Sequence, residues 1–373
     1  MRVLISGGGT GGHIYPALAV AKALQSAYNA EILYLGDERG LETQLVPKAG
    51  LNFVGIRAGK LRRYLSMQTF TDLGRIPVGF AQAIRHARRF RPDVAFTSGG
   101  YVSVPAGFAA RWAGAPLITH QQDVSPNLAN RLLRPLATQI TVTFADSLRY
   151  FPAKKTTLIG NPVREAMLNV VGMEAGKAKQ SFGLDPALPL VVVTGGSQGA
   201  KHLNEVVVAS LPHLLPVCQV LQISGARTFA ETKGSAESLL DGHPDWSARY
   251  KLFEYLDAEM PLALAAADVV LCRSGAATLS ELAVLGKGSV LVPLPPGFGG
   301  SPQAINAAMF QAQGAASVIR DADLTPERLK AALLPLLQDR EQLGAMGTAA
   351  HMFARPDAAA NLAALVASLA RKR

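Results

Sequence analysis

Twice in this chain an apolar, strand-like run breaks into a glycine turn and then into a helical pattern. The first case is RVLISGGGTGGHIYP at residues 2–16, and the second is LVVVTGGSQGAKHLN at residues 190–204. A continuously apolar strand is one covered on both faces, which is the habit of parallel sheets. A turn rich in glycine lets the chain reverse tightly into the covering helix. Two such starts predict α/β architecture with two doubly wound domains. Further runs fit parallel strands between helices: EILYLG, DVAFTSGG, PLITHQQ and QITVTF in the first half, CQVLQIS, VVLCRS, SVLVPLP and ASVIRD in the second.

The join falls in LIGNPVRE, where Gly160, Asn161 and Pro162 punctuate the chain. The expected domains are 1–160 and 161–352. Residues 353–373 form a last helix, capped by Asp357 and placed to pack back on the first domain. The first helix is expected over residues 15–28, with Pro16 in its first turn. With 373 residues, 49% of them hydrophobic and 17% charged, the chain can bury two cores. Two cysteines, Cys218 and Cys272, supply neither a disulfide framework nor a zinc site and suit a reducing compartment. No secretory leader is read at the start, and the longest apolar stretch, 102–118, is interrupted by Arg111. The charge is lopsided. Residues 1–160 hold 19 Lys and Arg against 8 Asp and Glu, and the rest hold 18 against 19. Such a basic half meets phosphates, nucleic acid or anionic lipid, or is simply a solvated face.

The opening loop supports two chemistries. Gly7, Gly9 and Gly12 form a G-x-G-x-x-G, and Asp37 lies just past the next strand, where a dinucleotide fold places its ribose-binding acid. His13, at the mouth of a helix, points elsewhere. The helix end disfavours an imidazolium there, which leaves a neutral proton acceptor; the same residue also fits a plain helix cap. The second loop, with Gly195, Gly196, Ser197, Gln198 and Gly199, suits a diphosphate or a tight turn. In LCRSGAATLSELAVL, Ser274 and Gly275 turn the chain into a helix from Ala276, whose N–H groups are open to an anion. Glu281 inside it can accept both hydroxyls of a ribose diol, or be a paired structural glutamate.

Taken together, GGGTGGH, GGYVS, GNPVR, GGSQGA and CRSGA…SE, in this order from the first strand to Asn306, resemble the MurG family. These are the transferases that add N-acetylglucosamine to a lipid-linked muramyl pentapeptide in bacterial peptidoglycan synthesis. The resemblance implies the GT-B fold, two Rossmann-like domains facing across a cleft. It also implies an inverting displacement by the acceptor's 4-hydroxyl, with UDP leaving and no cofactor or metal. His13 is the implied base, with His120, beside Asp123, as rival. Contacts to UDP-N-acetylglucosamine are implied for Thr10, Gly11, Gly12, Asp123, Arg164, Ser197, Gln198, the Leu256 backbone, Ala276, Ala277, Thr278, Leu279, Ser280, Glu281 and Gln303. One departure stands out: the family usually has HEQN where this chain has HQQD, His120 to Asp123.

The implied acceptor is an undecaprenyl-linked muramyl pentapeptide, and the implied setting is the cytoplasmic face of the inner membrane, held peripherally. Residues 60–91 mix Leu61, Leu65, Phe70, Leu73, Ile76, Phe80 and Ile84 with many Lys and Arg, a pattern suited to an anionic membrane surface rather than to nucleic acid. Three other readings stay open on the residues alone. A UDP-N-acetylglucosamine 2-epimerase on the same fold would need acid and base carboxylates. An NAD-type oxidoreductase would use the first loop and Asp37. A non-catalytic nucleotide-sugar binder would not need His13.

Overall fold

The computed structural model describes residues 1–59, 67–196, 199–295 and 302–371, with side chains omitted over 67–74. The chain divides into two units, Met1–Arg164 with Arg355–Arg373, and Glu165–Ala354.

The first unit is a seven-stranded parallel sheet: β1 (Arg2–Ser6), β2 (Glu31–Asp37), β3 (Asn52–Ile56), β4 (Val94–Thr97), β5 (Leu117–Gln121), β6 (Gln139–Val142) and β7 (Thr156–Leu158). Its spatial order is β3-β2-β1-β4-β5-β6-β7. β1 pairs with β2 through Leu4 and Leu33, and with β4 through Leu4 and Ala95. Helices α1 (Gly11–Tyr28), α2 (Glu42–Lys48), α3 (Met67–Phe90), α4 (Ser103–Trp112) and α5 (Leu128–Leu133) connect the strands. Both sheet faces are covered, so β4 lies wholly buried and β1 is buried from Val3 to Ser6. On one face Val3, Ile5, Val20, Leu24 and Phe96 pack with Leu362 and Val366 of the C-terminal helix Ala358–Leu369. On the other, Leu4, Leu35, Ala83, Ala106 and Leu117 meet.

Two expectations shift here. α1 starts at Gly11, so Pro16 sits in its second turn and His13 in its first. Pro16 has no N–H to give Gly12, and the helix tolerates this close to its end. Asp357 precedes the C-terminal helix without a side-chain cap bond, because its backbone is not extended. The division between units falls after Arg164. Asn161 meets His120, and Arg164 lies over the Tyr15 ring, which ties GNPVR to the first unit.

The second unit is a six-stranded parallel sheet: β8 (Leu190–Thr194), β9 (Gln219–Ile223), β10 (Tyr250–Phe253), β11 (Val269–Cys272), β12 (Ser289–Leu291) and β13 (Ala316–Val318). The order β10-β9-β8-β11-β12-β13 repeats that of the first six strands of the other unit. Val191, Val207, Leu211, Val269, Leu329 and Leu333 belong to its core.

Candidate active site

In a doubly wound sheet the chain leaves the two central strands in opposite directions, and a crevice opens at their carboxyl ends. In the first unit those strands are β1 and β4. The loops that follow them touch: Gly8 N–H donates to the Gly99 carbonyl at 3.3 Å. His13 is built into this junction. Its Nδ1 lies 3.1 Å from the Ser98 carbonyl, and Ser98 Oγ donates to the His13 carbonyl at 2.7 Å. A carbonyl only accepts, so Nδ1 carries the hydrogen and Nε2 keeps its lone pair. Gly99, at φ +103°, lets the backbone lie against the ring; a Cβ there would come 2.9 Å from two ring atoms. Burial lowers the His13 pKa below the usual histidine value. The charge of Asp123, the Ser98 carbonyl and a Gln122 side-chain bond oppose the fall. The imidazole is therefore neutral at pH 7 and holds an acceptor nitrogen.

His120, the rival base, is fully buried. Its Nδ1 meets Thr141 Oγ1 at 2.9 Å and its Nε2 meets Asn161 Oδ1 at 3.3 Å. Burial pushes its pKa down to about 4. With both ring nitrogens engaged by neutral partners, it is not oriented by Asp123, whose charge acts on His13 instead. Asp37 accepts from the Tyr101 hydroxyl and from the Arg39 N–H. Each of its carboxylate oxygens thus already accepts from a neighbour in the same unit.

Sequence reasoning missed Glu42. It is fully buried beneath the glycine loop and accepts from Gly9 N–H at 3.1 Å. Its room depends on glycine at position 8, where a Cβ would fall 1.7 Å from Oε1. Burial raises its pKa. Its loop partner lies 33 residues away, so no local pattern marks it. Thr10 is exposed, and its carbonyl accepts from His13 and Ile14 N–H. Gly11 and Gly12 open α1. The Arg164 guanidinium lies 4.8 Å from the Tyr15 ring centre.

In the second unit the crevice strands are β8 and β11. Ser197 and Gln198 lie outside the described residues. The helix Ala276–Leu285 begins at Gly275 with an extended backbone and no side-chain cap bond, so the N–H groups of its first turn have no capping side chain. Gln303 accepts from Leu294 N–H at 2.9 Å, and its Nε2 approaches Gly275. Ser274 Oγ donates to the Gln303 carbonyl, and Asn306 Nδ2 to the Ser274 carbonyl. These bonds fix the turn before the helix. Within 276–281, Ala277, Thr278 and Glu281 are half-exposed and share one helix face. Ala276 is buried, Leu279 points into the core with its N–H bonded to Gly275, and the Ser280 hydroxyl bonds back to Ala276. Leu256 is also buried.

Two parallel doubly wound units, each with a glycine turn at its crevice, define the GT-B fold. The chain belongs to glycosyltransferase family 28: residues 3–142 match the Glycosyltransferase family 28 N-terminal domain and residues 190–362 its C-terminal domain. The UDP-N-acetylglucosamine--N-acetylmuramyl-(pentapeptide) pyrophosphoryl-undecaprenol N-acetylglucosamine transferase of Desulfitobacterium hafniense is 38% identical over 363 residues, 96% of each chain. Among solved structures, MurG of Acinetobacter baumannii aligns with a TM-score of 0.74 at 26% identity, covering 98% of this chain and 99% of that one. A UDP-GlcNAc 2-epimerase from Neisseria meningitidis, bound to UDP-GlcNAc, aligns with a TM-score of 0.68 at 13% identity over 99% and 100% of the two chains. That last likeness is one of fold.

Proposed function

We propose that this chain transfers N-acetylglucosamine from UDP-N-acetylglucosamine to the 4-hydroxyl of an undecaprenyl-pyrophosphoryl muramyl pentapeptide. The reading is supported by full-length similarity to transferases of that name and by one feature of the site, the fixed tautomer of His13. In the reaction the acceptor oxygen bonds to the anomeric carbon, and the bond from that carbon to the diphosphate breaks. UDP leaves with the electron pair, the configuration inverts, and the hydroxyl proton passes to His13 Nε2. Arg164 and the N–H groups at Ala276 to Thr278 take the charge that grows on the diphosphate. Glu281 receives the ribose hydroxyls. Gln303, Ser197, Gln198 and the Leu256 backbone complete the donor site, with Thr10, Gly11 and Gly12 against the sugar or diphosphate.

The acceptor is a membrane lipid, and we place the enzyme peripherally on the cytoplasmic face of the inner membrane. No helix among the described residues is long and apolar enough to cross a membrane. Support for surface attachment comes from α3 and α4. Phe80 and Phe108 meet edge to face at 5.5 Å, and Arg88 lies over Trp112, which is 67% exposed. Arg85, Arg88, Arg89 and Arg111 are exposed around them. Leu61 and Leu65 lie outside the described residues, as do the side chains of Phe70 and Leu73. Phe108 and Trp112 join the patch from a stretch that hydropathy alone had flagged only as apolar.

The test is UDP release from UDP-N-acetylglucosamine, measured with and without the lipid-linked muramyl acceptor. Release that requires the acceptor is expected. Release or epimerisation without it would overturn the reading.

A further inference from the structure

The transfer chemistry leaves one buried carboxylate of the first unit unused. Glu42, the first residue of α2, is wholly enclosed, and its Oε1 accepts from the Gly9 N–H at 3.1 Å. Three glycines from separate places in the chain make the space it fills. A Cβ at Gly8 would fall 1.7 Å from Oε1, one at Gly40 would fall 1.9 Å from Oε2, and one at Gly36 in β2 would fall 2.9 Å from the Glu42 Cβ. A side chain walled in at both carboxylate oxygens and at its stem keeps one conformation.

The neighbouring backbone groups of the loop are engaged as well. The Tyr34 hydroxyl on β2 donates to the Gly7 carbonyl at 2.6 Å. Burial and the charge of Glu42 hold that phenol well above its ordinary value, so it stays a donor. Gly8 N–H donates to the Gly99 carbonyl at 3.3 Å. Gly9 takes a φ of +86°, and a Cβ there would come 2.9 Å from the Tyr101 ring. A phosphate cradle aims successive glycine N–H groups at the anion. Here the N–H groups of Gly8 and Gly9 both meet acceptors of the protein itself, and one of those acceptors is an acid.

We propose that Glu42 is a positioning residue for the transfer reaction: by accepting the Gly9 N–H it keeps the first half of the loop from acting as a phosphate cradle and fixes the backbone that leads to His13. The inference rests on reading His13 as the base. The path from one to the other is short. Gly9 precedes Thr10, whose carbonyl accepts from the His13 N–H at 3.1 Å, so a shift at Gly9 reaches the imidazole within one helical turn. Anions at this loop are left to the residues from Thr10 onward.

The test compares Glu42→Met, which fills similar space without an acceptor, with Glu42→Gln, which keeps an acceptor oxygen. Hydrogen exchange of the Gly9 amide, followed by NMR beside the urea midpoint of each variant, reads the hold on the loop without any acceptor substrate. The Gly9 amide should be protected in the native chain and in Glu42→Gln, and should exchange about tenfold faster or more in Glu42→Met. In Glu42→Met kcat should fall on the order of 10²-fold with affinity for UDP-N-acetylglucosamine kept, and Glu42→Gln should recover most of that loss. Should Glu42→Met fail to fold, Gly8→Ala presses on the same carboxylate and should show the same split. On addition of UDP, the Gly8 and Gly9 amide signals should move less than those of Ala276 to Thr278. Equal protection of the Gly9 amide in both Glu42 variants would overturn the assignment. So would a lower urea midpoint with kcat unchanged, which makes Glu42 structural only, or Gly8 and Gly9 signals that answer UDP as strongly as Ala276 to Thr278. If the native chain shows no acceptor-dependent transfer, the exchange result still decides the hold of Glu42 on the loop, and the transferase reading alone falls.

Discussion

The two crevices of this molecule share a topology and differ in chemistry. Behind the glycine loop of the first unit lie titratable groups: His120, Glu42 and Asp37, which are buried, and His13, which is half-buried. Behind that of the second lies a neutral network. Asn204 donates to the Ser224 carbonyl and the Thr228 hydroxyl, Gln222 donates to Asn204, and Tyr250 donates to Gln222. Its nearby charge is matched, since Arg273 is paired with Asp321 and bonded to the Val292 carbonyl. A neutral, fully bonded frame holds a turn rigid without moving protons. A frame built around a neutral imidazole can move one. On the proposed reading, the same strand order serves proton chemistry in one unit and nucleotide holding in the other.

The sharpest way to break this comparison is to remove the base. His13→Ala should lower kcat about 10²–10⁴-fold, the usual contribution of a positioned proton acceptor. If kcat survives and UDP affinity falls instead, the first crevice also holds nucleotide and the contrast fails. Gly99→Ala is next in size. The added Cβ would press on the His13 ring, and a φ of +103° is strained for alanine. A displaced base should cost kcat on the order of 10²-fold with UDP affinity kept. In the second unit, Glu281→Ala should weaken UDP binding by about one to two decades, as loss of a charged hydrogen-bond acceptor predicts. Calorimetry on the folded variant decides this, and unchanged binding would dissolve the donor assignment.

Smaller effects separate the units by pH and by salt. His120 has a folded pKa of about 4, below its ordinary value near 6.5. The unfolded chain therefore takes up the proton first, so this stability is complete above pH 6.5 and drains away as pH falls toward 4. Urea midpoints at pH 7 and pH 4.5 should drop more for the native chain than for His120→Gln. An equal drop would place the acid sensitivity elsewhere. Binding to anionic vesicles should weaken with salt and with Arg85→Gln or Arg88→Gln. Equal binding to neutral vesicles would make the patch on α3 and α4 a solvated face.

Much of the frame was legible because its signals are local. The buried strands β1, β4 and β8 are continuous apolar runs, and the turn at Ser274 and Gly275 announces the helix from Ala276. The strands that escaped notice are short or mixed in character: β3 is NFVGI, β7 is TTL and β10 is YKLF. Proline misled at α1, because Pro16 marks a first turn by preference and here sits one turn further in. In the site, His13 was visible from its place after the glycines. Its tautomer was not, since that depends on Ser98, 85 residues away. Adjacency in sequence linked Asp123 to His120. The structure turns His120 toward Thr141 and Asn161, and gives Asp123's charge to His13. Charge and hydrogen-bond partners are set by tertiary neighbours, and no period in the sequence carries them.

The account stands most directly on the pH profile of kcat at saturating donor and acceptor. It predicts an acid limb below the ordinary histidine value, because burial lowers the His13 pKa in the folded protein. It predicts that the same limb flattens in His13→Ala. An acid limb that persists unchanged in His13→Ala would show that another group takes the acceptor's proton, and would contradict the division of labour between the two crevices.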